Sequence, residues 1–484
     1  MRSYRSRAAL AFALLLGAYV LVTLAAVGSV LVAIFVLEHP APLMIAVLAG
    51  CGSLLIGCVR ALAGAFSRGG PPHGVVVSRA EQPQLWALAD RMARAVGVEP
   101  PDDLTLDMSV NAAVMQRGRK RHLIVGLPLA AALSVDELTA VLAHEMGHYS
   151  NKDVKLGPVV RTGWVAIVRM VQSAGHLRVI GWVIRKYGEL YLRVAGSVSK
   201  EQEFAADQAA VRAASGPALA RGLALLPWAA AAWSWYGERF VLTSVRTGQL
   251  PVDLVEGFVQ LLEEPDRVAE RQAFLDAPPD AYEHAFDTHP STAHRLDRLP
   301  KGDGTVIDGR RAIAVIDVPT AVRRFAETRK PAPLALTSLD AGASQRAAEM
   351  TVANARALIL ATAPSLPPGT PNGLGAVLDT LRQGTFAVGQ RLCGGSTDRI
   401  QAADAVARTL TDLIHSALVD SQQARWTHSF TGAPYRLMSP TYGAVDLHGV
   451  VKSSLGDDRR LDELAARCQA LGIPESYGAE LATA

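Results

Sequence analysis

The stretch AVLAHEMGHYSNKD, residues 140–153, contains the pattern H-E-x-x-H and is the most informative part of this sequence. His144 and His148 are four residues apart, and residues at this spacing project from the same face of a helix. Both imidazoles can therefore bind one metal ion, with Glu145 beside the open coordination position. Catalytic zinc accepts such ligands and keeps one position for water. The alternative is a pair of ordinary surface histidines.

A helix start precedes this pattern. Ser134 is followed three residues later by Glu137 and then by an apolar-periodic run. This spacing is typical of a capping box, in which the two side chains bond to each other's backbone N–H groups. We therefore predict a helix that begins near Val135 and carries the histidines in its second half.

A third metal ligand has to come from elsewhere in the chain. A compact site would place another histidine six residues after His148, but that position is Val154. The segment SKEQEFAADQAA, residues 199–210, offers Glu203 and Asp207 on one helical face. Glu203 suits the third ligand, and Asp207 suits an acceptor that fixes the tautomer of a ligand histidine. Glu201 is a weaker competitor because it points elsewhere around the helix. The alternative is a solvated acidic face.

Two apolar runs near the start of the chain predict a membrane hairpin. Residues 8–37 carry no charge and are long enough for a transmembrane helix, and a second run covers residues 41–59. Arginines flank both runs, whereas Glu38 is the only Asp, Glu, Lys or Arg in the turn between them. The positive-inside rule then places both flanks in the cytoplasm. A cleavable signal peptide is the alternative, but the first run is too long and a second follows at once.

Composition excludes several other classes. The chain has 484 residues, enough for two or three domains, and a net charge of only +3, which does not favour nucleic acid as a partner. Its four cysteines form no C-x-x-C pair. The sequence therefore predicts neither a disulfide framework nor a cysteine zinc site.

Four segments occur in the order known from the HtpX / CAAX prenyl protease family of membrane zinc metallopeptidases, which this chain resembles. They are VNAAV (110–114), DELTAVLAHEMGHYSNKD (136–153), EFAAD (203–207) and THPSTAHRLDRL (288–299). The resemblance covers roughly residues 75 to 300. It implies one Zn²⁺ per chain, with His144, His148 and Glu203 as ligands and Glu145 as the general base.

Three further roles follow from the resemblance alone. Asn111 would hold the backbone of the substrate beside an edge strand. His289 would bind the substrate carbonyl or stabilise the oxyanion. Arg295 would pair with Asp207 and support the site.

The sequence departs from the family pattern between the two metal motifs. Family members commonly carry two apolar helices there, whereas residues 157–199 of this chain contain five arginines. A charged side chain at the bilayer centre is costly. We therefore interpret residues 155–200 as an amphipathic helical pair on the cytoplasmic membrane surface. Spanning helices and a pair packed on the protein itself are the alternatives.

These observations predict an α+β fold in three parts. Residues 1–66 form a transmembrane helical hairpin, residues 67–300 a mainly helical, zincin-like zinc metallopeptidase domain with a small edge sheet, and residues 301–484 a helical accessory domain of unknown function. A strand, a hairpin and a returning strand are predicted within residues 104–127. A proline-rich linker is predicted near residues 362–373.

The expected function is that of a membrane-anchored zinc metalloendopeptidase, in a multi-pass protein of the cell membrane with a cytoplasmic catalytic domain. Peptides and proteins, membrane or damaged proteins among them, are the expected substrates, and the lipid bilayer is an expected partner. Processing of prenylated proteins fits less well, because the proteases that carry it out have many transmembrane spans, whereas two are predicted here. The other class is a catalytically inactive, membrane-anchored binding or signalling protein. The presence of all four metal-site residues argues against it.

Overall fold

The computed structural model of the chain describes residues 74–117, 120–150, 178–277, 291–300, 308–329 and 332–482, with ten helical positions between residues 10 and 35. The chain divides into two compact units. Unit 1 comprises residues 1–234 and 258–328, and unit 2 comprises residues 235–257 and 329–484. The domain boundary near residue 300 and the linker near residues 362–373 stay predictions.

The described part of the chain is mostly helical with small sheets, as the sequence predicts. The strands are β1 (Val75–Val77), β2 (Asp103–Asp107), β3 (Ala112–Arg117), β4 (Lys120–Gly126), β5 (Gln249–Pro251), β6 (Ala335–Thr337), β7 (Arg425–His428), β8 (Tyr435–Ser439) and β9 (Gly443–Val445). The helices are α1 (Pro83–Val96), α2 (Leu127–Ala132), α3 (Val135–Ser150), α4 (Arg178–Ala213), α5 (Gly216–Tyr236), α6 (Leu242–Arg246), α7 (Leu254–Glu263), α8 (Pro265–Asp276), α9 (Thr292–Leu296), α10 (Val318–Thr328), α11 (Leu339–Thr362), α12 (Leu374–Gln383), α13 (Thr385–Leu392), α14 (Arg399–Asp420), α15 (His448–Ser454) and α16 (Asp458–Ala470).

The predicted transmembrane hairpin is wrong. Among the described residues, no helix combines the length and the apolar character that a membrane crossing requires. A span needs roughly 20 predominantly apolar residues, and the longest described helix, α4, carries charged side chains along its length. Residues 41–59 and most of residues 8–37 lie outside the described residues. The same finding overturns the predicted location as a multi-pass protein of the cell membrane with a cytoplasmic catalytic domain.

Unit 1 contains a four-stranded sheet with the order β1-β2-β4-β3. β2 and β4 are parallel, and the other two pairs are antiparallel. β3 and β4 form the predicted hairpin, with Ala112 opposite Val125 and Arg117 opposite Lys120. β3 is an edge strand and packs against α3, which also contacts α1 and α4.

The start of α3 confirms the predicted capping box. The backbone N–H of Ser134 donates to Oε2 of Glu137 over 2.9 Å, and the N–H of Glu137 donates to Oγ of Ser134 over 3.2 Å. Both groups would otherwise lack a partner at the helix N-terminus. Leu138 and Leu142 then turn the apolar face of the helix into the core, where both are fully buried. The capping box thus fixes where α3 begins.

α4 is one continuous helix of 36 residues that includes the Glu203 segment. The predicted helical pair at residues 155–200 overlaps its first part. Residues 155–177 lie outside the described residues, so the pair and its association with a surface stay predictions. Within the described part, Glu203 and Asp207 lie in the last third of a single long helix.

Unit 2 has its own core. Helices α11, α13 and α14 pack together, and the antiparallel sheet β7-β8-β9 lies against α11. His415 of α14 is among the buried side chains, with 9% of its surface exposed. Neither of its ring nitrogens has a hydrogen-bond partner among the described residues, and its ring meets the Trp426 ring edge-on.

We expect the stability of unit 2 to fall as the pH drops below about 6.5. Burial lowers the pKa of His415 to about 4, below its ordinary value of 6.5. Between these values the unfolded chain binds a proton that the folded chain does not, so this group should make the protein about 2 kcal/mol less stable at pH 5 than at pH 7. Urea denaturation of the parent and of His415→Leu at both values checks this. An equal pH dependence in the two proteins would contradict it.

Candidate metal centre

A close contact between two helices builds the site. Gly147 lies between the two motif histidines on α3 and faces α4. A Cβ atom at Gly147 would lie 3.0 Å from the Cα atom and 3.1 Å from the carbonyl oxygen of Ala206. This is tighter than nine in ten real Cβ contacts, so a residue larger than glycine would require the backbone of α4 to shift by a few tenths of an ångström. The contact brings His144 and His148 alongside Glu203.

We expect Gly147→Ala to destabilise unit 1 by about 1–3 kcal/mol, because the added methyl group meets backbone that cannot rotate away. The separation of the two helices should also weaken zinc binding. Chemical denaturation and competition with a chromophoric chelator measure the two effects. Gly449→Ala is the matched control. Gly449 lies in α15, and no heavy atom lies within 4 Å of the position that its Cβ atom would occupy. Equal effects of the two substitutions would contradict the expectation.

The three predicted ligands lie together. Nε2 of His144 is 3.4 Å from Oε2 of Glu203, and Nε2 of His148 is 3.7 Å from Oε1 of the same carboxylate. Metal–ligand bonds of about 2.1 Å in a tetrahedron place ligand atoms roughly 3.4 Å apart. These two separations are therefore close to what a zinc ion requires.

Glu145 also lies close to the two imidazoles. His144, Glu145 and His148 each offer a ligand atom, and these atoms lie within 4.8 Å of one another. The group could hold a metal ion on its own. Glu203 is the other carboxylate at this place, with Oε2 at 3.4 Å from Nε2 of His144 and Oε1 at 3.7 Å from Nε2 of His148. Either carboxylate could therefore join the two imidazoles around a metal ion.

The site is buried on one side and open on the other. The side chains of His144 and Glu203 are each 6% exposed, whereas that of His148 is 34% exposed. Electrostatic interactions strengthen where water is excluded. The open side at His148 is where water and substrate can approach.

Asp207 and Arg295 support the buried histidine. Oδ1 of Asp207 lies 2.9 Å from Nδ1 of His144, and Arg295 donates to both Asp207 oxygens, from Nε over 3.0 Å and from Nη2 over 2.5 Å. Nη2 of Arg295 is 3.3 Å from both ring nitrogens of His144, so it lies over the ring face. Arg295 also pairs with Glu203, through Nη1 and Oε2 at 3.3 Å. The predicted Arg295–Asp207 pair is therefore present in the structure.

These contacts shift two pKa values. Burial would lower the pKa of His144, but the hydrogen bonds to Asp207 and to Glu203 outweigh burial and raise the pKa to about 9. Burial would raise the pKa of Asp207, but the hydrogen bonds from His144 and Arg295 hold it below its ordinary value. Asp207 is therefore ionised at neutral pH and accepts the Nδ1–H proton of His144. The raised pKa of His144 means that a metal ion would displace the second proton, which Nε2 carries, when it binds there.

Of the other two predicted residues, Asn111 lies within the described chain and His289 outside it. Asn111 directly precedes β3 and is exposed, and its backbone carbonyl accepts a hydrogen bond from the N–H of Gly126 over 2.9 Å. His289 lies outside the described residues. The roles assigned to both stay predictions.

Sequence reasoning missed two buried groups near the metal motif. Oε1 of Glu137 is 3.1 Å from Nε of Arg221 and 3.7 Å from Nη2 of Arg271, so the capping carboxylate also ties α3 to α5 and α8. The Tyr149 hydroxyl is buried without a hydrogen-bond partner among the described residues, and burial raises its pKa. The capping box predicted the contact of Glu137 with Ser134 but not its two arginine partners, which come from distant segments, and no sequence signal pointed to the buried Tyr149 hydroxyl.

Two histidines and a carboxylate on packed helices, beside an edge strand, are typical of metallopeptidase centres. Residues 79–302 match Peptidase family M48. This match covers just under half of the chain and supports the resemblance to the HtpX/M48 peptidase family that the sequence predicts.

Individual curated relatives agree with this assignment. Protease HtpX homolog 1 of Saccharolobus solfataricus is 38% identical over 78 residues, which are 16% of this chain and 25% of the relative. The Protease HtpX homologs of Thermococcus kodakarensis and Tropheryma whipplei are 25% and 29% identical, each over 31% of this chain and 58% of the relative. The chain thus spans from a quarter to under two thirds of the length of these relatives. No solved structure matches the chain.

Proposed function

We propose that this chain is a zinc-dependent metalloendopeptidase that cleaves peptides or proteins. One observation carries the proposal: the Nε2 atoms of His144 and His148 lie 3.4 Å and 3.7 Å from the oxygens of the buried Glu203 carboxylate. Imidazole and carboxylate are the ligands that zinc prefers in catalytic sites. The match of residues 79–302 to Peptidase family M48 supports the same chemistry.

His144, His148 and Glu203 would hold one zinc ion. When bound, zinc supplies a Lewis acid that polarises the scissile carbonyl and lowers the pKa of water from about 15.7 to roughly 7. Asp207 keeps His144 in the tautomer that exposes Nε2. Arg295 offsets the negative charge that Glu203 and Asp207 bring into a buried place.

Glu145 is the general base of the proposed mechanism. It follows the buried ligand His144 in the helix and is only partly buried, so its carboxylate can reach both the metal position and incoming water. The carboxylate takes a proton from the attacking water and returns it to the amide nitrogen that leaves. The Glu145 carboxylate therefore acts first as a base toward water and then, once protonated, as an acid toward the leaving amine.

The substrate would lie along the edge strand β3. An extended peptide can pair with the free backbone groups of an edge strand, and such pairing reads the main chain more than the side chains. Asn111, at the start of β3, would hold the peptide backbone, and His289 would bind the carbonyl or stabilise the oxyanion. Broad sequence specificity follows from this mode of binding.

Metal removal tests the proposal. The full chain should contain about one zinc per molecule and cleave casein, lose cleavage in 1,10-phenanthroline, and regain it when zinc is added back. Elemental analysis and a fluorescent casein assay give the two readouts. Zinc without cleavage would refute the proposal and favour an inactive binding protein. Cleavage that survives complete removal of the metal would refute the zinc mechanism.

A further inference from the structure

A cavity of about 220 Å³ opens beside α4 in unit 1. Its lining consists of Phe204, Asp207, Gln208, Val211, Arg212, Arg298, Leu299 and Pro300. Apolar surface forms most of its wall, and two guanidinium groups contribute to the remainder. The cavity is thus suited to a ligand with an apolar body and a negative charge.

The two arginines of the cavity are available to a ligand. Arg212 and Arg298 are both exposed, and neither forms an ion pair within the described parts of the chain. The guanidinium carbon of Arg298 lies over the Phe204 ring, 3.9 Å from the ring centroid. Such a cation–π contact does not neutralise the charge of the guanidinium, whose five N–H donors can still bind a carboxylate. Arg298 is therefore held in place without being neutralised.

The acidic residue in the lining does not compensate these charges. Arg295 donates to both carboxylate oxygens of Asp207, and His144 engages one of them as well. Asp207 is buried, with 4% of its surface exposed. The negative charge of Asp207 is thus already balanced by its own partners. The cavity retains the positive charge of two arginines.

We propose that this cavity binds the C-terminal residue of a peptide whose last side chain is apolar. The α-carboxylate would pair with Arg212 and Arg298, and the side chain would lie against Phe204, Val211 and Leu299. Guanidinium groups match carboxylates in geometry, and apolar walls favour burial of an aliphatic side chain. The inference rests on the proposed function, because a peptidase meets peptide ends in both its substrates and its products.

Binding of two matched peptides to the full-length Glu145→Gln protein tests this. Fluorescein-labelled Ala-Ala-Ala-Leu is compared with its C-terminal amide by fluorescence anisotropy. The acid should bind about tenfold more tightly, since the amide loses both ion pairs. Arg212→Gln and Arg298→Gln should each remove most of this preference. Arg94→Gln, an exposed arginine of α1 outside the cavity, should keep it.

Three results would overturn the proposal. The first is equal binding of the acid and the amide, and the second is an acid preference that survives both cavity substitutions. The third is N-acetylleucine binding as tightly as the peptide, because that result would assign the cavity to small free acids. Circular dichroism of each variant confirms the fold. The experiment measures binding and not cleavage, so its failure is distinct from failure of the proposed function. A chain that cleaves no peptide can still prefer the acid, and an active peptidase can lack that preference.

Discussion

Replacement of Glu145 by glutamine should lower peptide cleavage by about a thousandfold while zinc content stays unchanged. Glutamine keeps the size of the side chain but cannot accept a proton from water, and general base catalysis typically contributes 10²–10⁴-fold. The neighbouring ligands His144 and His148 are not altered. The measurement is the rate of casein cleavage per zinc-loaded molecule, with zinc determined in the same sample.

The matched control for this experiment is Glu201→Gln. Glu201 lies on α4, two residues before Glu203, and carries the same carboxylate. It should leave cleavage and zinc content at the level of the parent. Cleavage at the parent rate by Glu145→Gln would remove Glu145 from the mechanism. Loss of zinc from Glu145→Gln would instead indicate that this carboxylate is a ligand.

The second large effect is expected at Asp207. Its carboxylate and the guanidinium of Arg295 are 6% and 11% exposed and lie 2.5 Å apart. Asp207→Ala removes the closest acceptor of Arg295 and of His144 and leaves Glu203 as their remaining partner. Loss of one partner of a buried pair typically costs 3–5 kcal/mol. We expect the free energy of unfolding to fall by about 3 kcal/mol and the affinity for zinc by about 10–100-fold.

Denaturation in urea and zinc competition measure these two changes. Asp308→Ala is the control, because Asp308 pairs with Arg310 at the surface of the same unit, where Arg310 is 71% exposed. It should leave both quantities unaltered. In the double variant Asp207→Ala/Arg295→Leu, part of the stability should return, since the unpaired charge is removed. A double variant less stable than Asp207→Ala would show that the pair does not act in this way.

Local signals in the sequence predicted local structure well. The Ser134–Glu137 spacing gave the first residue of α3, and the strand-like segment within residues 104–127 gave the β3–β4 hairpin. Both features depend on residues within one turn or one hairpin of each other. The spacing of Glu203 and Asp207 on one helical face also predicted which side chains would meet the motif histidine.

Features that join distant segments were not predictable in the same way. The close approach of Gly147 to Ala206 and the pairing of Glu137 with Arg221 depend on how helices pack. The sheet β7-β8-β9 was also missed, since the accessory region was interpreted as helical from its alanine-rich stretches. The transmembrane hairpin was predicted from the length of two apolar runs and from the arginines that flank them, and no described helix supports it.

The unequal exposure of the two histidines has a consequence for metal exchange. His144 lies behind Asp207 and Arg295, whereas the imidazole of His148 faces outward. Among the described residues of the cluster, His148 is the exposed one, so a chelator would reach a bound ion from that side. The bulk of the chelator rather than its affinity should then set the rate at which the ion is withdrawn. Slender bidentate chelators would then strip the protein faster than large hexadentate ones of greater thermodynamic strength.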